Sequence, residues 1–112
     1  MRQVEIWEID LNPTIGSEIK KKRPAVIINN DSIGILPLKV IVPVTEWKDS
    51  FEGAIWLVKI VPDSDNNLMK LSAVDTFQIR SVSTKRFLVK TGSVSSRVLE
   101  EIKTAVKAVV DG

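Results

Sequence analysis

The chain contains no cysteine and no histidine. Without cysteine there is no disulfide framework, no thiolate metal site and no cysteine nucleophile. Without histidine the chain lacks the usual general base near neutral pH and the commonest metal ligand. Any chemistry performed by these 112 residues must run on Arg, Lys, Asp, Glu, Ser or Thr. Long apolar runs are missing too. Stretches such as Val40 to Val44 fall far short of the ~20 residues that a membrane helix needs. Glu5, Glu8 and Asp10 interrupt the N-terminal stretch where a signal peptide carries its apolar core. The expectation is a cytoplasmic protein that does not enter membranes.

What is present points to a folded domain. Hydrophobic residues make up 44% and charged residues 27%, a globular rather than a disordered profile. A chain of this length buries roughly two-thirds of its unfolded surface and needs no covalent staple. No repeat, low-complexity tract or linker divides it, so residues 1–112 are expected to form a single domain. The net charge is only +2, yet it is unevenly spread: Lys20, Lys21, Lys22 and Arg23 run consecutively, whereas Glu46, Asp49, Glu52, Asp63 and Asp65 crowd the middle. Such a distribution permits a local phosphate-binding face.

Val4 to Ile9 is rich in strand formers and stops at Asn12-Pro13; Thr14 to Arg23 reads as a polar loop. Pro24 opens Ala25-Val26-Ile27-Ile28, a short strand expected to be buried on both faces. Val40 to Val44 is a third strand, and Pro43 argues for an edge position or a bulge. Ala54 to Val61 and Ala73 to Val82 are predicted as the fourth and fifth. Thr84 to Phe87 is predicted as a helical turn, and Phe87 to Lys90 as a short sixth strand. Val98, Leu99, Ile102, Ala105, Val106, Val109 and Val110 then repeat at helical spacing, with Ser95 as N-cap and Gly112 at the C-terminal end. Five or six short strands followed by a helix predict a mainly β fold, a small curled sheet or barrel with the helix packed on it.

Several blocks carry a resemblance. Asp10-Leu11-Asn12-Pro13 followed by Gly16-Ser17-Glu18 and Arg23-Pro24, then Val42-Pro43-Val44-Thr45, Gln78-Ile79-Arg80, and Gly92-Ser93-Val94-Ser95 ahead of a Leu-Glu-Glu-Ile helix, resemble the MazF/PemK family in order and spacing. Two positions depart from the family pattern. Val4 precedes Glu5 where the family usually has glycine, and Phe77 stands where some members place an acid. The resemblance implies an SH3-like or CcdB-like barrel with a C-terminal helix. It also implies a type II toxin: a metal-independent endoribonuclease that cuts single-stranded RNA by 2′-OH attack, leaving a 2′,3′-cyclic phosphate and a 5′-OH. No metal site and no cofactor are expected.

That reaction needs a proton acceptor for the 2′-OH and cationic donors for the charge growing on phosphorus. On the resemblance, Arg23, Glu18 and Thr45 are the catalytic candidates. Arg23 offers a planar fork to phosphate oxygens; Glu18 accepts the proton or orients Arg23; Thr45 bonds a phosphate oxygen. Lys20, Lys21 and Lys22 are expected to contact phosphates generally, with Asn12 and Ser17 beside them in the loop. Phe77, Gln78 and Arg80 are expected to meet the bases, with Trp7, Trp47 and Trp56 as further stacking candidates. Each has a plainer reading, as a solvated loop cation, an exposed loop carboxylate, a structural strand-end threonine or a core aromatic. The rival functions are a CcdB-like poison of gyrase and a non-catalytic SH3-like interaction module. The resemblance further implies a homodimer and a cognate antitoxin whose acidic flexible tail covers the cationic loop.

Overall fold

The computed structural model describes residues 1–13, 15–18 and 21–112. Seven strands precede one helix: β1 (Glu5–Asp10), β2 (Lys22–Ile27), β3 (Leu38–Glu46), β4 (Leu57–Ile60), β5 (Ser72–Asp75), β6 (Arg80–Ser83), β7 (Phe87–Ser93) and α1 (Ser96–Val110). All pairings are antiparallel, in the order β4-β5-β3-β2-β1-β7, with β6 also paired to β3. The mainly β architecture with a closing helix is the one expected, with two corrections. Among the described residues there are seven strands rather than five or six, and the sheet is not closed into a barrel, because its path ends at β4 and β7.

The extra strand arises inside Ala73 to Val82. Asp75 accepts hydrogen bonds from Phe77 N (3.1 Å) and Gln78 Nε2 (3.0 Å), and the chain turns through a single 3-10 turn between β5 and β6. A local carboxylate thus breaks a segment whose composition favours extension. The strand expected over Ala54 to Val61 begins only at Leu57, whereas that expected over Phe87 to Lys90 runs on to Ser93. Pro43 is neither on an edge nor in a bulge. β3 pairs with β6 through Leu38–Ile41 and with β5 through Val44–Glu46. Pro43 lies in the gap between these partners, where a residue lacking an N–H costs least.

The sheet separates two cores. One holds Ile6, Val26, Val42, Val44, Val58, Val74 and the helix residues Ile102 and Ala105; the other holds Ile9, Leu11, Ala25, Ile27, Ile41, Val82 and Phe87. β2 contributes to both, which is why its sequence is a continuous apolar run rather than an alternating one. α1 begins as expected, with Ser95 Oγ accepting from Val98 N at 3.1 Å. It ends on an extended Asp111, whose N–H bonds Lys107 O, rather than on a glycine cap at Gly112.

The N-terminus explains the first departure from the family pattern. Val4 has φ 74°, in the left-handed region that a β-branched side chain rarely adopts. It positions Glu5, whose carboxylate accepts from Trp7 Nε1 (2.9 Å) and Arg2 N (3.0 Å) and pairs with Lys90 of β7 (3.2 Å). Burial pushes the Glu5 carboxyl up, but these donors outweigh it and bring the pKa from 4.5 down to about 2. The folded value lies below the unfolded one, so this stabilisation is complete above about pH 4.5 and disappears as pH falls towards 2. The shift corresponds to about 3 kcal/mol, reduced to about 1–2 kcal/mol because Lys90 and the terminal amine face water. Glu5→Gln is expected to lose about that much at neutral pH and to unfold less steeply with acid. Urea titrations of both proteins at neutral pH and near pH 3 test it; parallel pH profiles would refute it.

Candidate active site

The sheet brings Arg23 and Thr45 together. Ala25 pairs with Pro43 across β2 and β3, and Arg23 and Thr45 each lie two residues beyond that last pair, on the ends of the two strands. Alternation puts both on the face of Ala25 and Pro43, away from the helix. Both are half-buried, and both border a cleft of about 400 Å³ at the strand ends. Glu8, Glu46, Lys70, Leu68 and Met69 also border this cleft. Glu8 and Glu46 belong by alternation to the helix-side face, so the cleft wraps around the end of the sheet. Nothing in its sequence context marks Lys70 as a neighbour of this cleft, because the long connection between β4 and β5 brings it into place.

Glu18 lies in a second cavity rather than in this cleft. That cavity, about 390 Å³, is bordered by Glu18, Leu11, Pro43, Phe77, Gln78, Ile79 and Arg80. Pro43, which borders this cavity, and Thr45, which borders the other, lie two residues apart on β3, about 7 Å along the strand. Glu18 Oε1 accepts the Ile15 N–H at 2.7 Å, so the carboxylate also shapes its own loop. Phe77, Gln78 and Arg80, the base-contact candidates, all border this cavity. Phe77 is 67% exposed and meets Trp56 edge-to-face at 6.4 Å. Thr76 holds these two segments together through its hydroxyl, which donates to Trp56 O at 2.6 Å.

The cationic loop is tied at its neck. Leu11 N donates to Lys21 O (3.2 Å), Lys21 N donates to Asn12 Oδ1 (3.1 Å), and the Arg86 guanidinium donates to Asp10 O (3.1 Å) and Asn12 O. The Asn12 side chain is thus spent on bracing the loop. Lys21, at φ 70°, and Lys22 are exposed, as is Ser17; Lys20 lies outside the described residues. Trp7 bonds Glu5 and packs edge-on against Phe87 at 5.7 Å, which makes it structural. Among the described residues no group of three or more carboxylates is placed to share a metal ion, and no helix is long and apolar enough to cross a membrane.

The fold defines the class first. A crystal structure of MazF from Deinococcus radiodurans superposes with a TM-score of 0.80 over 98% of this chain and 96% of its own, at 20% sequence identity. An endoribonuclease in complex with its cognate antitoxin, from a mycobacterial species, gives 0.77 over 98% and 94%, at 17% identity. At such identities the likeness speaks for the fold alone. The sequence supplies the rest: the family model of PemK-like, MazF-like toxins of type II toxin–antitoxin systems matches residues 2–110, and the chain belongs to that family. It is 30% identical over 118 aligned residues to Endoribonuclease MazF9 of Mycobacterium tuberculosis, covering 99% of this chain and 97% of that protein.

Proposed function

We propose that this chain is the toxin of a type II toxin–antitoxin pair, a cytoplasmic endoribonuclease that cuts single-stranded mRNA at specific sequences. The observation that carries the reading is that Arg23 and Thr45, from the ends of β2 and β3, border one cleft, with Glu18, Gln78 and Arg80 together in a second cavity. In this mechanism the scissile phosphate sits on Arg23. The guanidinium fork binds two phosphoryl oxygens and the Thr45 hydroxyl donates to one of them. The ribose 2′-oxygen attacks phosphorus while the Glu18 carboxylate takes its proton. The bond from phosphorus to the 5′-oxygen breaks, that oxygen takes a proton from water to leave as a hydroxyl, and a 2′,3′-cyclic phosphate remains. Charge on the phosphoryl oxygens grows as the P–O bond forms, so fixed cationic donors stabilise the transition state more than the bound substrate.

Phe77, Gln78 and Arg80 hold a base in the second cavity, while Lys20, Lys21, Lys22 and Ser17 place the RNA backbone from the loop that Asn12 braces. Residues 1–112 work as one domain in a homodimer. The partner is an antitoxin with an acidic flexible tail that lies over the cationic loop. No observation favours the gyrase-poison or interaction-module readings.

The decisive test incubates the purified protein with long single-stranded RNA in EDTA. Cutting at a few short sites is expected, with DNA of the same sequence left whole because it lacks the 2′-OH. RNA that survives intact would remove the proposal.

A further inference from the structure

We propose that Lys59, seated on the ring of Trp47, binds the RNA phosphate next to the scissile one, on the far side of Thr45 from the Gln78 cavity. This rests on the ribonuclease reading above. Lys59 pairs with Ala73 across β4 and β5, and Ala73 pairs with Thr45 across β5 and β3. Residues directly opposite in an antiparallel sheet share a face. Lys59, Ala73 and Thr45 therefore form one row across β4, β5 and β3 on the face away from the helix. At strand spacings of about 4.8 Å, Lys59 starts about 10 Å from Thr45, and its long side chain spans part of that gap.

Trp47 fixes where the ammonium sits. It follows Thr45 by two residues, on the same side of the chain, and its N–H continues the ladder to Leu71 O at 2.9 Å. Lys59 Nζ lies 4.8 Å from the centre of the Trp47 ring, and Phe51 braces that ring edge-on at 5.7 Å. Along β3 the face thus presents Pro43 at the base cavity, Thr45 at the reacting phosphate and Trp47 carrying Lys59. Of the acids on the flanking strands, Glu46 pairs with Lys70 at 3.7 Å, and Asp75 holds Phe77 N and Gln78 Nε2. Among the described residues Lys59 forms no ion pair with a carboxylate. An exposed ammonium held by a ring, with no acid neutralising it, suits a phosphate of the bound strand. Its residue type suits an unspecific phosphate contact rather than base reading.

The test measures binding of an oligoribonucleotide methylated at every 2′ oxygen, which cannot be cleaved, between about 50 and 200 mM salt. Lys59→Gln is expected to weaken binding by about threefold to tenfold and to flatten the log–log salt slope by about 0.7, the loss of one single-strand phosphate contact. Lys59→Arg is expected to restore both. Lys107→Gln, on the helix, is the control and should change neither. With cleavable RNA, half-saturation should rise for Lys59→Gln while the rate at saturation stays within about twofold. An unchanged salt slope in Lys59→Gln overturns the proposal, as does an equal effect of Lys107→Gln, or a loss confined to antitoxin binding. If the unaltered protein cleaves RNA while the slope stays put, only the Lys59 contact falls. If it neither binds nor cleaves RNA, the ribonuclease reading falls with it.

Discussion

Replacing Arg23 with alanine is expected to slow RNA cleavage by about a thousandfold or more while leaving the fold intact. Loss of one preorganised donor to a developing oxyanion costs about 100- to 1,000-fold elsewhere. Here the chain has no histidine to share the electrostatic load. Arg23 is the second residue of β2, half-buried, with its backbone held by pairing to Ile9, and it belongs to neither core, so its removal opens no cavity there. Arg23→Lys keeps the charge but loses the planar fork, and should recover only part of the rate. Thr45→Ala should cost less, about 10- to 100-fold, and Thr45→Ser should cost little, because only the hydroxyl is used. Single-turnover cleavage with enzyme in excess isolates the chemical step. An Arg23→Ala protein that cuts within tenfold of the unaltered one, with the same melting temperature, would remove Arg23 from the mechanism.

Whether such a site was legible in the sequence depends on how local each of its parts is. The helix and its Ser95 cap were readable because periodicity and capping act over a few neighbouring residues. The double burial of β2 was readable from its unbroken apolar run. The split of Ala73 to Val82 was not, since Asp75 acts through its own side chain and leaves the hydrophobic pattern unchanged. Its signal was the Asp-Thr-Phe-Gln turn itself. Pro43 misled because the rule against proline in central strands assumes one continuous neighbour, and β3 changes neighbours there.

The site divides in the same way. The resemblance supplied Arg23, Thr45 and Glu18 as residue types, yet only the folded sheet brings the first two to one cleft and leaves Glu18 in another cavity. Lys59 and Trp47 reach the same face through β5, a connection between residues with no sequence relation. Register of this kind is set by packing over the whole sheet.

The second large effect is expected far from the phosphate, at Gly92. A Cβ there would lie 2.5 Å from Asp65 O and 2.6 Å from Asn66 O, both backbone atoms, closer than real contacts allow. This glycine is required by contact rather than by a left-handed backbone, for its φ is not among the positive ones. The loop it touches cannot step aside. Asp63 Oδ1 accepts from Asp65 N (2.9 Å) and Asn66 N (2.7 Å). The Asn66 side chain, only 2% exposed, accepts from Asp63 N and Leu68 N and donates to Val61 O, all at 3.0 Å. On either side of Gly92 the loop is stitched to β7, by Ser93 N to Asp65 O at 3.0 Å and Asn67 Nδ2 to Thr91 O at 2.9 Å.

Gly92→Ala must therefore break some of these bonds and strand buried polar groups, at about 1–3 kcal/mol each. A total of about 3–5 kcal/mol is a large part of a small domain's stability, and predicts a melting temperature lower by about 15 °C or more. Because the same loop leads into Leu68, Met69 and Lys70, which border the cleft of Arg23 and Thr45, activity should fall before the protein unfolds. Gly34→Ala is the matched control. It carries a positive φ of 107° with nothing within 4 Å of the added carbon, so it should pay a backbone cost of about 1–2 kcal/mol and leave cleavage alone. A Gly92→Ala protein melting within about 2 °C of the unaltered one would mean that the loop yields, and that the cleft wall is not anchored by β7.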